Sequence, residues 1–226
     1  MIASGEGRRW FRCAWLAAAL LVLAACAATE QAREPEPSGF LTGKFYAGKE
    51  GQPLLVYVKP DAQWRRYDKI LIDPVTIWCE SGLVDVPPEE AQALADQLET
   101  SLRRELAKDY TLVERPGPGV MRLRAAITEA KGARRVLNVA STVGPTMRLL
   151  SSAKRLATGT HAFVGHAGIE GELLDSMTNE RLAAAIDRRA GAKTLSGATS
   201  KWDDVQQAFD YWADRLRTRL AELRAR

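Results

Sequence analysis

The order of apolar and polar positions divides the chain into a short series of elements. PLLVYVKP (residues 53–60) and YDKILIDPVTIW (67–78) are dense in β-branched, aromatic and aliphatic side chains and are bordered by prolines, which predicts two strands. In the second, Ile70 and Ile72 fall on one face and Leu71, Val75 and Ile77 on the other, so both faces are apolar, as in a central strand. Pro87 and Pro88 then open a helix with Glu89 and Glu90 in its first turn, where acidic side chains complement the helix dipole. Its stripe is Ala91, Leu94, Ala95, Leu98, Leu102 and Leu106, spaced three or four apart.

YTLVERP predicts a short strand, PGPG a turn, and VMRLRAAITEA a strand in which Met121, Leu123, Ala125 and Ile127 alternate with Arg122, Arg124 and Thr128. HAFVGHAGIEGELLD and RLAAAIDRR flank Ser176–Glu180 and read as an antiparallel hairpin. The chain closes on an amphipathic helix with Trp202, Val205, Phe209, Trp212, Leu216, Leu220 and Leu223 on one face; Ser200 with Asp203 resembles a capping box at its start. The order ββαβββ(β)α predicts an α/β (α+β) fold: a mixed, mostly antiparallel sheet of about five to six strands, with two long helices on one face.

Upstream of these elements, Arg8, Arg9 and Arg12 precede an uncharged apolar run from Ala14 to Ala25. A run of that length is too short for a transmembrane helix, which needs roughly 20 residues, and matches the apolar region of a secretory signal. Leu23-Ala24-Ala25-Cys26 resembles the lipobox of bacterial lipoproteins. The resemblance implies cleavage after Ala25, with diacylglycerol on the Cys26 thiol and acylation of the new α-amine. Arg8-Arg9-Trp10-Phe11 also resembles a twin-arginine signal, although paired arginines are commonplace in leaders and the general secretory route is the preferred reading. Residues 1–25 are thus expected to be a signal peptide, 26–38 a lipidated tether rich in small, charged and proline residues, and 39–226 a single domain. Ala27 stands where, by resemblance to enteric lipoproteins, an aspartate would retain the protein at the inner membrane, so the outer membrane facing the periplasm is the expected address.

Losing the leader, with its three arginines and one glutamate, takes the formal net charge from +4 to +2, too mild to point to nucleic acid. Of three cysteines, Cys13 leaves with the leader and Cys26 is acylated. Cys79 remains alone, so no intramolecular disulfide is expected.

SGFL (38–41), YDKILIDPV, GELLDSMTNERLAAAIDRRAG (171–191) and the closing WADRL together resemble an uncharacterised bacterial lipoprotein family, the domain of unknown function numbered thirty-three thirteen. The resemblance spans nearly all of residues 38–226. It implies an envelope location and a common fold, and brings no catalytic residue with it.

The residues themselves offer little catalytic chemistry. His161 and His166, five apart on a strand, point to opposite faces and cannot share a metal there. GFLTGKF has three residues between its glycines and a phenylalanine after Lys44, so it lacks the phosphate-loop pattern. There is no G-x-S-x-G elbow, and Cys79 has no histidine near it in sequence. No metal or cofactor is expected. Glu170 and Glu172 share a strand face at a spacing that acid/base pairs can use. Arg122, Arg124, Asp187 and Arg189 repeat the same alternation, however, and a cross-strand charge ladder on a solvated face accounts for all six.

From Ala130 to Ile169 there is no acidic residue, while Lys131, Arg134, Arg135, Arg148, Lys154 and Arg155 contribute +6. This insertion reads either as a solvated loop or as a docking surface for phospholipid headgroups, lipopolysaccharide phosphates or acidic peptidoglycan stems. The expected function is a membrane-anchored, non-enzymatic binding or accessory module for an envelope component or complex. The alternative is an envelope hydrolase using Glu170, Glu172 or Asp187.

Overall fold

The computed structural model describes residues 29–31, 37–78, 88–131, 166–191 and 202–226. Among these described residues nine strands form one sheet: β1 (Thr29–Gln31), β2 (Tyr46–Ala47), β3 (Leu55–Val58), β4 (Lys69–Ile72), β5 (Thr76–Ile77), β6 (Thr111–Val113), β7 (Val120–Lys131), β8 (His166–Asp175) and β9 (Arg181–Gly191). The spatial order is β2-β3-β9-β8-β7-β4-β6. β1 lies against β9 on the edge that β3 also uses, and β5 lies against β7 on the edge that β4 uses. Pairs among β4, β5, β6 and β7 are parallel and the rest antiparallel, so the sheet is mixed and mostly antiparallel. The strand count exceeds the expected five to six because β1, β2 and β5 are only two or three residues long. Segments so short leave no periodicity to read.

Helices α1 (Pro88–Leu106) and α2 (Asp203–Ala225) cover one face. Leu94, Leu98 and Leu102 of α1 and Phe209, Trp212 and Leu220 of α2 meet Ile70, Ile72, Leu123 and Leu173 of the sheet in one buried core. α2 starts at Asp203 with Trp202 as its cap and no side-chain capping bond, so Asp203 is not the third residue of a box. Its first turn is instead tied to α1 by the Trp202 indole N–H, which donates to Glu90 Oε2 at 3.2 Å.

The segment expected to be one strand over 67–78 is two. Asp73-Pro74 interrupts the ladder between β4 and β5, because proline has no N–H to give. Val75 then turns into the same core as Ile70 and Ile72, rather than onto the opposite face. Asp73 is kept in place by donating its N–H to Leu123 O at 3.0 Å and accepting from the Arg122 guanidinium at 2.8 Å. Thr29–Gln31, within the expected tether, pairs with Gly191–Arg189 and so belongs to the sheet.

Candidate functional site

Alternation along β7, β8 and β9 sorts their side chains onto two faces, and the two faces are unlike in an unexpected way. On the helix side, the register sets Ala125 beside Gly171, Gly171 beside Ala185, and Ala185 beside Val56. The next row is Leu123, Leu173, Ala183 and Val58. Three small residues in succession cannot fill the roughly 10 Å between a sheet and the layer packed on it. A cavity of about 340 Å³ therefore lies between the sheet and α2. Tyr211, Trp212, Leu216 and Leu220 form its roof, and Leu102 of α1 reaches one wall. Its mouth lies between Glu50–Pro53 and the α2 side chains Arg215, Arg219 and Glu222.

Burial agrees with this geometry. Ile169, Gly171, Ala183 and Ala185 lie under the helices yet remain half-exposed, whereas Glu170, Glu172, Ala184 and Ile186, on the face without helices, are buried. The inversion has a cause: residues 38–45 cross that second face as a strap. Leu41 is buried on Ala184 and Ile186, with Phe40, Phe45, Leu55 and Tyr57 around it. Glu170 accepts the backbone N–H of Ser38 at 2.5 Å and of Leu41 at 2.9 Å, one on each carboxylate oxygen. Gly39 sits between them at φ +87°, a conformation that costs glycine nothing and most residues strain. Phe40 packs edge-on against Trp78 with centroids 5.7 Å apart, and Arg124 lies 5.4 Å over the Phe40 ring.

The expected ladder is thus corrected in three respects. Its face is covered along β8 and β9 rather than solvated. Arg124 and Glu172 pair across strands at 2.6 Å, and Arg181 of β9, outside the expected set, completes the carboxylate at 2.7 Å. Arg122 turns to Asp73, while Asp187 and Arg189 lie on the opposite face, toward the helices. There Asp187 accepts from the Trp212 indole at 2.7 Å, the Gln31 amide at 2.6 Å and the Leu54 N–H at 3.3 Å, forming the polar end of the cavity. The Arg189 guanidinium lies 3.7 Å over the Tyr211 ring. Glu170 and Glu172 do share a face, but each is engaged in holding other parts of the fold.

A second carboxylate was not singled out by sequence reasoning. Asp175, at the end of β8, accepts from Tyr67 Oη at 2.8 Å, from the N–H groups of Met177 and Thr178 at 3.0 Å, and from Arg66. Burial pushes its pKa up, but these hydrogen bonds outweigh burial and hold the carboxyl well below the usual range. Burial, then the bond to Asp175, pushes the Tyr67 phenol up to about 12. The knot joins two stretches far apart in sequence: Arg66 and Tyr67 brace the turn that begins at Asp175.

Cys26, Cys79, His161 and the basic residues Arg134, Arg135, Arg148, Lys154 and Arg155 lie outside the described residues. Among the described residues, no group of three or more His, Cys, Asp or Glu side chains is placed to hold a metal, and no helix is long and apolar enough to cross a membrane.

Comparison with known proteins places these features in context. The uncharacterized lipoprotein YdcL of Escherichia coli K12 is 25% identical over 199 residues, covering 84% of this chain and 87% of that protein. Among solved structures, protein XCC0632 from Xanthomonas campestris matches 74% of this chain and 94% of its own at 13% identity and a TM-score of 0.42. The PelC dodecamer from Paraburkholderia phytofirmans matches 72% and 94% at 14% identity and a TM-score of 0.39. A family model described as "protein of unknown function (DUF3313)" matches residues 36–216, and the chain belongs to that family.

Proposed function

We propose that this protein is an envelope lipoprotein, anchored through acyl groups on Cys26 and acting by binding rather than by catalysis. The observation that carries the reading is one of register. Glu30 pairs with Ala190, Ala190 with His166, and His166 with Lys131, so the start of β1 and both roots of the basic insertion share one end of the sheet. Three strand spacings of about 4.8 Å separate Glu30 from Lys131, roughly 14 Å in all. Cys26 lies three residues before Thr29, a reach of at most about 11 Å. With Thr29–Gln31 built into the sheet, two residues separate Cys26 from β1 in sequence. The lipid anchor therefore holds this end of the domain against the membrane, and the insertion carrying Arg134, Arg135, Arg148, Lys154 and Arg155 begins and ends at the surface.

Each basic residue near an anionic membrane contributes about 1 kcal/mol, and screening shortens the attraction from about 10 Å at 0.1 M salt to about 3 Å at 1 M. The partner is thus an anionic surface of the envelope, lipid headgroups first, in the leaflet that carries the anchor. The engagement of Glu170, Glu172 and Asp187 in structural contacts supports binding over hydrolysis. The test is co-sedimentation of the Cys26→Ala chain with vesicles containing phosphatidylglycerol, with and without glutamine at all five basic positions, in low and high salt. The unsubstituted insertion should bind in low salt and be released by high salt. Equal sedimentation of the two chains, with matching thermal melts, would refute the surface role.

A further inference from the structure

We infer that the cavity beneath α2 is a binding site for a single acyl chain of a zwitterionic membrane lipid. Its volume, about 340 Å³, argues for one chain rather than a whole two-chain lipid. The volume lies near the lower end of the roughly 300–1,000 Å³ typical of small-molecule sites.

The lining fits the same occupant. The long walls are Leu123, Leu173, Val56, Val58, Leu216 and Leu220, which offer a hydrocarbon chain dispersion contacts and no competing polar groups. The polar groups sit at the mouth, where Arg215 donates to Gly51 O at 2.7 Å and Arg219 to Glu222 at 2.7 Å, with Glu50 on the rim. Both signs of charge meet there, complementary to the phosphate and ammonium of a zwitterionic headgroup rather than to a lone anion. Asp187, held by Trp212, Gln31 and Leu54, adds a further polar group beside Gln52 at the mouth, so the headgroup end of the chain lies there and its terminus among the apolar walls.

The chain's own acyl groups are poorly placed to be the occupant. β1 runs from Gln31, beside Arg189, outward to Thr29, beside Gly191, away from the floor at Ala185. Six residues of strand, about 20 Å, separate Gly191 from Ala185. A lipid supplied from outside meets no such constraint.

The experiment is native mass spectrometry and tryptophan quenching on the Cys26→Ala chain, with lysophosphatidylethanolamine brominated near the headgroup end of its chain. The expected result is a 1:1 complex and quenching that largely disappears in a Trp212→Phe variant. Ala185→Leu and, separately, Ala183→Leu fill the channel from adjacent rows. Each should weaken binding at least tenfold while leaving the melting temperature unchanged or higher, since the new side chain occupies empty space. Lysophosphatidylglycerol should bind more weakly. Absence of a 1:1 complex, or unchanged affinity in both filled variants, would overturn the proposal. So would binding by the Cys26→Ala chain that the natively processed protein lacks, because the occupant would then be its own acyl chain.

Discussion

Asp187 on β9 accepts the indole N–H of Trp212 on α2 at 2.7 Å, and through it the sheet and the last helix are fastened beside the cavity. Both residues are buried. Trp212→Phe keeps an aromatic ring and removes this one bond, so it should cost about 1.5–3 kcal/mol, as for a hydrogen bond to a charged group. Trp212→Ala removes the ring as well and should cost about 3–5 kcal/mol. Chemical denaturation of the two variants, compared with wild type, separates these contributions. Equal losses would mean that the ring contributes nothing beyond its N–H.

The strap makes a second prediction. Glu170 receives the N–H groups of Ser38 and Leu41, so Glu170→Ala should leave two donors without their acceptor and lift the strap from β8 and β9. The expected reading is loss of hydrogen-exchange protection at Ser38 and Leu41, with protection in β7 kept. Exchange that stays slow at both amides would show that Leu41 packing alone holds the strap.

Stability should fall at both ends of the pH scale, for reasons that lie in one knot. Asp175 titrates lower in the folded chain than its ordinary value of 3.8, so its contribution is complete above that value and is lost as pH falls below it. Tyr67 titrates higher, at about 12 against 10.0, so its contribution is complete below 10.0 and is lost as pH rises toward 12. Asp175→Asn should flatten the acid limb of a stability–pH curve and Tyr67→Phe the alkaline limb. Unchanged slopes in both variants would assign the limbs to other groups.

The anchor is tested directly. Cys26→Ala should abolish incorporation of an alkyne fatty acid in living cells and leave the protein unprocessed or released from membranes. Equal labelling of the variant and the wild type would contradict acylation at Cys26.

The longer elements were legible wherever periodicity lasts for more than two turns or pleats. α1, α2, β7 and the β8–β9 hairpin each present an apolar face at the right spacing, and each appears where its pattern stands. The charges were legible as strand alternation but not as partners. Arg122 and Arg124 occupy the same face, yet one pairs with Asp73 from a β4–β5 bend and the other with Glu172, and a ladder read from alternation alone cannot see a bend that proline creates. β1 carries no apolar signature in Thr29-Glu30-Gln31 and is joined to the sheet by backbone pairing to an edge of β9.

By itself, then, the sequence determined what local chemistry controls: two amphipathic helices, the hairpin, and a mixed sheet with its helices on one face. Tertiary structure decided which side of the sheet is closed and which is hollow. Ala125, Gly171 and Ala185 are unremarkable small residues until strand register sets them side by side beneath α2, and Glu170 is an ordinary strand carboxylate until Ser38 and Leu41 are brought over it from more than a hundred residues away. Cavities and caps of this kind come from which strands are neighbours, a long-range property that no window of the chain contains.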